Sequence, residues 1–571
     1  MSLRKRPAAR WQHAPPPDPA GAAALSAALG VPLALGQLLL VRGQVEPESA
    51  KRFLRPELNH LHDPGALAGM GTAVARLAKA IRGGETILVH GDYDVDGICS
   101  TALLTRSLRA LGGRVVPFIP DRKRDGYDLS AAGVQAAVAA EASLVLTCDC
   151  GTTAIAPARD LAARGIDLIV SDHHLPGAEL PQAVAILNPR RSDDTSPDKD
   201  LAAVGVAFKL AMALTAELGG NANVVLNQLD LVALATVADV APLRGENRVF
   251  VRRGLALLRD TKNRGLAALI RSSGLDGKEI TSGRVGFILA PRLNALGRMD
   301  RALLGVDLLL AETDEEALGI ARHCEERNRE RQELDRAILE NALRRVDALD
   351  AASTWGIALA DTAWHPGVIG IVASRIVEQT GRPTFLVAVA DGVGKGSGRS
   401  IPAFDLHAAL GECSDLLLKH GGHKAAAGLT IAPDRMDAFA ERFNAVAQAA
   451  LTEDDLRRTV HIDLNLGLAD ATGELEKTLR HFEPFGIGNP GPTFAAMGVR
   501  LATSATKIGA DGVKCLIEAP GGPIEAVGWG MAPRAGELRA GAALDLAFKL
   551  ERNSFRGVDR LQFGIVDFRA A

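Results

Sequence analysis

Between Thr86 and Asn188 the chain alternates short, unbroken apolar runs with stretches of helical periodicity. The runs are TILVH, VVPFIP, SLVLT, DLIVS and AVAILNP, and the helix-like stretches include Ile98 to Leu111, Ser130 to Ala140 and Ala154 to Arg164. Strands that are apolar throughout and separated by amphipathic helices predict a parallel sheet covered on both faces. Such sheets bind ligands beyond the carboxyl ends of their strands. From Asp314 to Leu349 there is no proline, and Leu334, Ile338, Leu339, Leu343 and Val346 recur at helical spacing, which predicts a long connecting helix. After it, WGIALA and TFLVAVA flank the helix-like IVASRIVEQ, a second, smaller α/β unit. Beyond Val460, strand-like runs broken by Gly, Pro and Asn predict a small β-barrel. The pattern divides the chain into an N-terminal helical segment (1–70), a parallel-sheet α/β domain (71–300), a connecting helix (301–350), a smaller α/β domain (351–452) and a C-terminal β-barrel (453–571).

Composition sharpens this picture in three places. A length of 571 residues calls for several cores, and 47% hydrophobic residues exclude a disordered chain. A net charge of −3 supplies no global positive field, so nucleic acid would have to bind in local grooves of Lys and Arg. The six cysteines are scattered apart from one Cys-x-Cys, which predicts neither a disulfide framework nor a zinc module and points to a reducing cytoplasm. Gly21 to Val41 carries no charge and approaches the length of a membrane span. Gly30-Val31-Pro32 divides it, and the PPP before it separates the Arg-rich start from any signal-like core, so two packed helices and no membrane are expected.

The candidate chemistry lies at the predicted strand ends. TILVH runs into His90-Gly91-Asp92-Tyr93-Asp94-Val95-Asp96-Gly97, alternating carboxylates beside a histidine that form a hard environment for a divalent cation. An EF-hand loop starts with the same Asp-x-Asp-x-Asp-Gly, but its twelfth position here is Leu103 instead of Glu, and a strand precedes it. SLVLT ends at Cys148-Asp149-Cys150, DLIVS ends at Asp172-His173-His174, and Asp239 follows the apolar run of ATVADVAPL. Singly, each has a bland role: Asp149 capping a turn, the histidines satisfying buried carbonyls, Asp239 capping a helix. Jointly they converge, and clustered carboxylates repel one another without cations. Two metal ions resolve this, with Mn²⁺ or Mg²⁺ the candidates and mixed His and Asp ligands leaning toward Mn²⁺. Cys148 and Cys150, alternating about Asp149 on a strand end, are expected to be buried structural thiols on the opposite face.

The set GDYDVDG, TCDCG, SDHH and TVADVAPL resembles the four signature motifs of the DHH phosphoesterase superfamily, and GGHKAAAG (Gly421 to Gly428) resembles the glycine-rich motif of its associated DHHA1-type domain. WHPGVIGIVASR, KGSGRS, APRLNALGRM and PFGIGNP look more specifically like the RecJ family of bacterial single-strand exonucleases, a likeness covering most of the chain. It implies a DHH domain joined by the long helix to a DHHA1-type domain and then an OB-fold. It also implies 5′-to-3′ hydrolysis of single-stranded DNA in recombination and repair, with a helicase and a single-strand-binding protein as partners. Carried across by motif, His90, Asp94 and Asp149 hold one metal and Asp96, Asp149, His173 and Asp239 the other, with His174 facing the substrate phosphate. The superfamily's ligand spacing skips Asp92, leaving it to orient His90.

Arg122, Arg298, Ser397 and Arg399 resemble residues that hold the DNA backbone and terminal phosphate, a task suited to the two-donor guanidinium fork. Lys123 and Arg124 could replace Arg122. His423, between glycines that allow close backbone approach, is expected near the nucleotide rather than packed in a core. Tyr127 could stack on a base or pack. In the C-terminal domain Lys507, Lys514, Lys549, Arg552 and Arg556 accompany Trp529, Phe548 and Phe555, a mixture that suits a single strand or an ordinary solvated face. Two rival functions remain: a superfamily phosphoesterase on dinucleotides, short oligonucleotides or polyphosphate, and a noncatalytic replication scaffold. The extra C-terminal domain argues for a longer substrate, and the intact ligand motifs argue against the scaffold.

Overall fold

The computed structural model describes residues 3–4, 8–122, 124–555 and 558–571. Lys123, Arg556 and the side chain of Phe555 lie outside what is described. The chain divides into two compact units, one of residues 48–329 with 481–491, the other of residues 1–47, 330–480 and 492–571.

The first unit is built on a five-stranded sheet in the order Arg114–Phe118, Thr86–Gly91, Leu144–Cys148, Asp167–Ser171, Ala185–Leu187, with every neighbouring pair parallel. The three central strands are almost wholly buried, which is why they read as unbroken apolar runs. One face packs against a core containing the helices Val95–Ala110 and Ala203–Glu217, the other against the helices Ala131–Ala139 and Ile155–Ala163. Helix Leu229–Ala238, buried over most of its length, ends at Asp239. The segment 282–299 is continuous helix, with a wide π turn at Val285–Leu289.

In the second unit a five-stranded sheet runs Leu417–Gly422, Ala426–Ile431, Val393–Arg399, Thr384–Ala390, Ile357–Asp361, closed on one side by Phe385, Phe439 and Phe443. Its last pair is parallel and the rest antiparallel. The C-terminal domain is a mixed seven-stranded sheet instead of the closed barrel expected from sequence. Strands Phe494–Arg500 and Gly512–Ile517, which closure would join, meet through the single bridge Leu501 to Ile517. Runs broken by Gly and Pro show that strands are short, but closure depends on pairing between distant edges, which periodicity does not encode.

The long helix spans Asp314–Asp347, close to the stretch Asp314 to Leu349 that the periodicity marks, and Leu303–Leu310 before it is a separate helix. Thr313 Oγ1 accepts from Glu316 N at 3.2 Å and caps the new start. Among residues 1–70 the sequence hid one strand, Arg10–His13, which pairs in parallel with Thr459–Ile462. Trp11 anchors it, donating to Asp567 at 2.8 Å. The uncharged stretch forms helices Pro19–Leu29 and Leu33–Val41, bent by 115°, and among the described residues no single helix is long and apolar enough to cross a membrane.

Candidate active site

The carboxyl ends of the three central strands deliver His90, Asp149 and Asp172 to one rim of the sheet. Asp94 caps the helix Val95–Ala110, accepting from Asp96 N at 2.9 Å and Gly97 N at 3.2 Å. Asp96, buried in its first turn, accepts from Ala203 N and Val204 N, both at 2.9 Å, at the start of helix Ala203–Glu217. Two positive helix ends thus face the acidic loop. Asp149 has φ of 63°, a left-handed conformation that Asp tolerates better than most residues and that turns its carboxylate off the strand.

Three groups of side chains bring their ligand atoms within 4.8 Å of one another: Asp92, Asp94 and Asp149; Asp96, His173 and Asp239; and Asp149, His173 and His174. His173 links them, with Nε2 3.3 Å from Asp149 and Nδ1 3.8 Å from Asp239. Asp92 Oδ1, Asp149 Oδ1 and His173 Nε2 are buried without a hydrogen-bond partner. Buried polar atoms are normally satisfied, so three orphans in one cluster mark a place built for a positive ligand.

The electrostatics agree. Burial, then the Asp94 charge, pushes Asp96 up to about 7. Burial, then Asp96 and Asp94, pushes Asp239 up to about 8. Asp92 and Asp149 are raised well above the ordinary range by the same two causes. Burial lowers His173 to about 4, so it is neutral and able to ligate. A crowd of acids that resists ionising, with neutral imidazole nitrogen beside it, fits hard divalent cations.

His90, placed with Asp94 and Asp149 by the motif resemblance, lies outside the three groups, and its buried Nε2 has no hydrogen-bond partner. It is fully buried, its Nδ1 lies 3.5 Å from Cys150 Sγ, and its ring packs against Phe118 at 5.2 Å between centroids. Asp92, which the spacing skipped, stands with Asp94 and Asp149. Motif spacing counts residues but not the turn that decides which of two alternating side chains points outward. Cys148 and Cys150 are buried, and both lie 3.7 Å from the His90 carbonyl. Burial raises Cys148 to about 12 and holds Cys150 well above its ordinary value, which makes them poor thiolate ligands.

His174 stands beside the cluster. Nδ1 meets Asp172 at 2.8 Å and Nε2 meets the Tyr127 hydroxyl at 3.0 Å. Burial works against its charge, but the hydrogen bond and charge of Asp172 prevail and raise it to about 9. Asp172 is itself held by Thr152 N at 3.0 Å and lies well below the usual carboxylate range. The sequence reading gave Asp172 no role, although it stands at a strand end within SDHH. Asn188, at the end of the fifth strand, was also missed; it donates to the His174 carbonyl at 2.8 Å.

Arg122 and Arg298 line one cleft of about 240 Å³ with Tyr93, Asp94, Asp239 and Asn294. The Arg122 guanidinium lies 4.8 Å over the Tyr93 ring. Arg124 is exposed and paired with Asp125 at 2.7 Å.

In the other unit Ser397 and Arg399 share one face of a central strand, and Arg399 Nη1 donates to Ser397 Oγ at 3.2 Å. Gly370, at the start of helix Ile369–Thr380, admits them: a Cβ there would lie 2.8 Å from Ser397 Oγ and 3.1 Å from Arg399 Nη2. His423 is exposed at the tip of the neighbouring hairpin, and its amide donates to Ala426 O, whose residue pairs with Arg399. The candidates of the C-terminal domain separate. Trp529 is 66% exposed, Phe548 is core, and Arg552 is held by Glu476 and Asp559. Phe548 therefore cannot stack on a base.

A parallel sheet with this acid and histidine rim defines a phosphoesterase of the DHH class, and the DHH family N-terminal domain model matches residues 86–236. The DHHA1 domain model matches residues 353–449 and the RecJ OB domain model residues 462–567. The single-stranded-DNA-specific exonuclease RecJ of Bacillus subtilis is 36% identical over 98% of this chain and 70% of its own length, and that of Dickeya dadantii 37% identical over 98% and 97%. The crystal structure of RecJ from Thermus thermophilus in complex with Mn²⁺ superposes with a TM-score of 0.85 at 34% identity, covering 98% of this chain and 80% of the other. The chain belongs to the RecJ family.

Proposed function

We propose that the protein is a metal-dependent exonuclease that removes nucleotides from the 5′ end of single-stranded DNA in recombination and repair. The observation that carries this is the buried cluster with three unsatisfied ligand atoms, opening beside a cleft lined by two arginines. Membership of the RecJ family supports single-stranded DNA as the substrate, and the 5′-to-3′ direction is what the motif resemblance implies.

Asp92, Asp94 and Asp149 would hold one divalent ion, and Asp96, His173 and Asp239 the other, with Asp149 placed to bridge because it also reaches His173. Mn²⁺ or Mg²⁺ in these positions acidifies a water molecule and offsets charge on the phosphoryl oxygens. The chain's own groups do the rest. His174, charged through its bond to Asp172, points its Nε2 proton at the Tyr127 hydroxyl, a contact that a phosphate oxygen would replace. Arg122 and Arg298 offer paired donors to the strand's phosphates, and the stack on Tyr93 fixes the plane of Arg122. Ser397, Arg399 and His423 are assigned to the terminal nucleotide.

A helicase that opens duplex and a single-strand-binding protein that keeps it open are the partners this substrate calls for. Six free, buried cysteines accord with a reducing cytoplasm as the compartment. Single- and double-stranded oligonucleotides labelled at either end, incubated with and without Mn²⁺, test the reading. Release from 5′-labelled single strands only with the ion is expected. Activity confined to dinucleotides or polyphosphate would overturn it.

A further inference from the structure

The motif PFGIGNP takes no part in the chemistry above, yet residues 481–491 fold with the catalytic unit although both flanking segments belong to the other one. Arg248 explains how the segment is seated. It is buried, its guanidinium lies 4.0 Å over Phe53, and its donors go to the carbonyls of Phe53 at 2.9 Å, His481 at 3.3 Å, Glu483 at 3.0 Å and Pro484 at 3.5 Å. Asn489 closes the turn on itself, donating to Phe482 O at 2.8 Å and Pro484 O at 2.9 Å.

The outer edge of this turn grips the stretch that follows Asp239. Leu243 N donates to Ile487 O at 2.7 Å, and Arg244 Nε donates to Gly488 O at 2.8 Å. Gly488 has φ of 75°, and a Cβ there would lie 3.0 Å from Pro242, so the contact is made backbone against backbone. Ser282 Oγ donates to Phe485 O at 2.5 Å, tying the same turn to the start of the helical segment that carries Arg298.

What the grip holds is unusual. Val240, next to Asp239, has φ of 65°, a region that β-branched residues avoid and that persists only where the surroundings enforce it. Asp239 N is still tied to the helix by Ala235 O at 2.9 Å, but beyond it the backbone's local bonds are long, Val240 N to Val237 O and Ala241 N to Thr236 O both at 3.3 Å, until Arg244 N meets Pro242 O at 2.9 Å. Released from the turn, Val240 is free to relax, and the peptide that orients Asp239 at the helix end loses its outer support.

We propose that residues 481–491 are a clasp that positions Asp239 at the cation site through Arg244 and Gly488, so that affinity for one of the two ions depends on a segment lent by the C-terminal part of the chain. The proposal rests on the cation-binding reading above. Arg244 and Gly488 are positioning residues that touch neither ion nor substrate.

Calorimetric titration of the full-length, ion-free protein with Mn²⁺ tests it. Arg244→Ala, on an exposed side chain, and Gly488→Ala are each expected to weaken one of two Mn²⁺ sites about tenfold and leave the other unchanged, the scale of loss when a ligand's supporting partner is removed. Arg244→Lys, which can still donate to the Gly488 carbonyl, is expected to restore most of it. Arg271→Ala, a surface arginine elsewhere on the same unit, is the control. Wild-type affinity at both sites in Arg244→Ala would overturn the clasp, as would equal weakening of both sites. If Gly488→Ala does not fold, Arg244→Ala and its lysine rescue decide alone. Absence of Mn²⁺ binding by the wild type would instead overturn the cation site itself.

Discussion

The rim of the parallel sheet and the hairpin sheet of residues 357–431 both present charged and polar groups, but in opposite states. At the rim, Asp92, Asp149 and His173 are buried and short of partners, and they and the buried Asp96 are displaced from their ordinary acidity. On the hairpin sheet, Ser397 and Arg399 bond one another and His423 is open to water. Unpaired buried charge is costly and survives where a ligand relieves it, whereas satisfied donors near the surface cost little and can exchange partners with an incoming phosphate. On the function proposed above, the first region serves chemistry and the second recognition.

The largest expected effect breaks the first region. Asp149→Ala removes the carboxylate common to two of the three ligand groups. Metal stabilisation of a phosphoryl centre is worth several kcal/mol, so kcat should fall roughly a thousandfold or more while the circular dichroism spectrum stays that of the wild type. Retention of a tenth of the activity would show that the cluster is not the reaction centre.

A smaller effect sharpens the second region. Arg399→Lys keeps the charge and loses the two-donor fork. It should raise KM about tenfold for a 5′-phosphorylated strand, with kcat little changed, because the residue would bind ground state and transition state alike. A fall in kcat at constant KM would move Arg399 from recognition to catalysis.

The two regions also differ in how far they can be read without coordinates. Unbroken apolar runs ending in Asp or His are legible because burial on both faces and ligand binding at strand ends leave a linear trace, and so Asp94, Asp96, Asp149, His173 and Asp239 stand out. His90 and Asp92 are harder to read, because spacing does not say which of two neighbouring side chains stands with Asp94 and Asp149 before an ion is bound. Asp172 and Asn188 hold His174 from behind, and support of that kind leaves no spacing rule. The dependence of Asp239 on residues 481–491 joins positions more than two hundred apart. The open C-terminal sheet is hidden for the same reason, since its closure is a matter of distant edges.

The smallest effect concerns protons. In the ion-free protein Asp96 titrates at about 7 and Asp239 at about 8, against about 4 in an unfolded chain. Between these limits the folded state holds protons that the unfolded state has released, so stability is lost as pH rises through the folded values. His174, raised to about 9, acts in the same direction. The buried thiols do too, since Cys413 and Cys515 at about 11 stay protonated after unfolded cysteines have ionised. His90 and His173, lowered to about 4, oppose this trend only below about 6.5, where unfolded histidines gain protons. From pH of about 6.5 to about 9 these contributions therefore share one sign, and the melting temperature of chelator-treated protein should fall by a few degrees. Mn²⁺ requires the ionised carboxylates, so the rise in melting temperature it produces should grow over the same interval. A melting temperature of the ion-free protein that is level or rising there would mean that the rim carboxylates are already ionised without their cations. The contrast with the hairpin sheet would then lose its electrostatic basis.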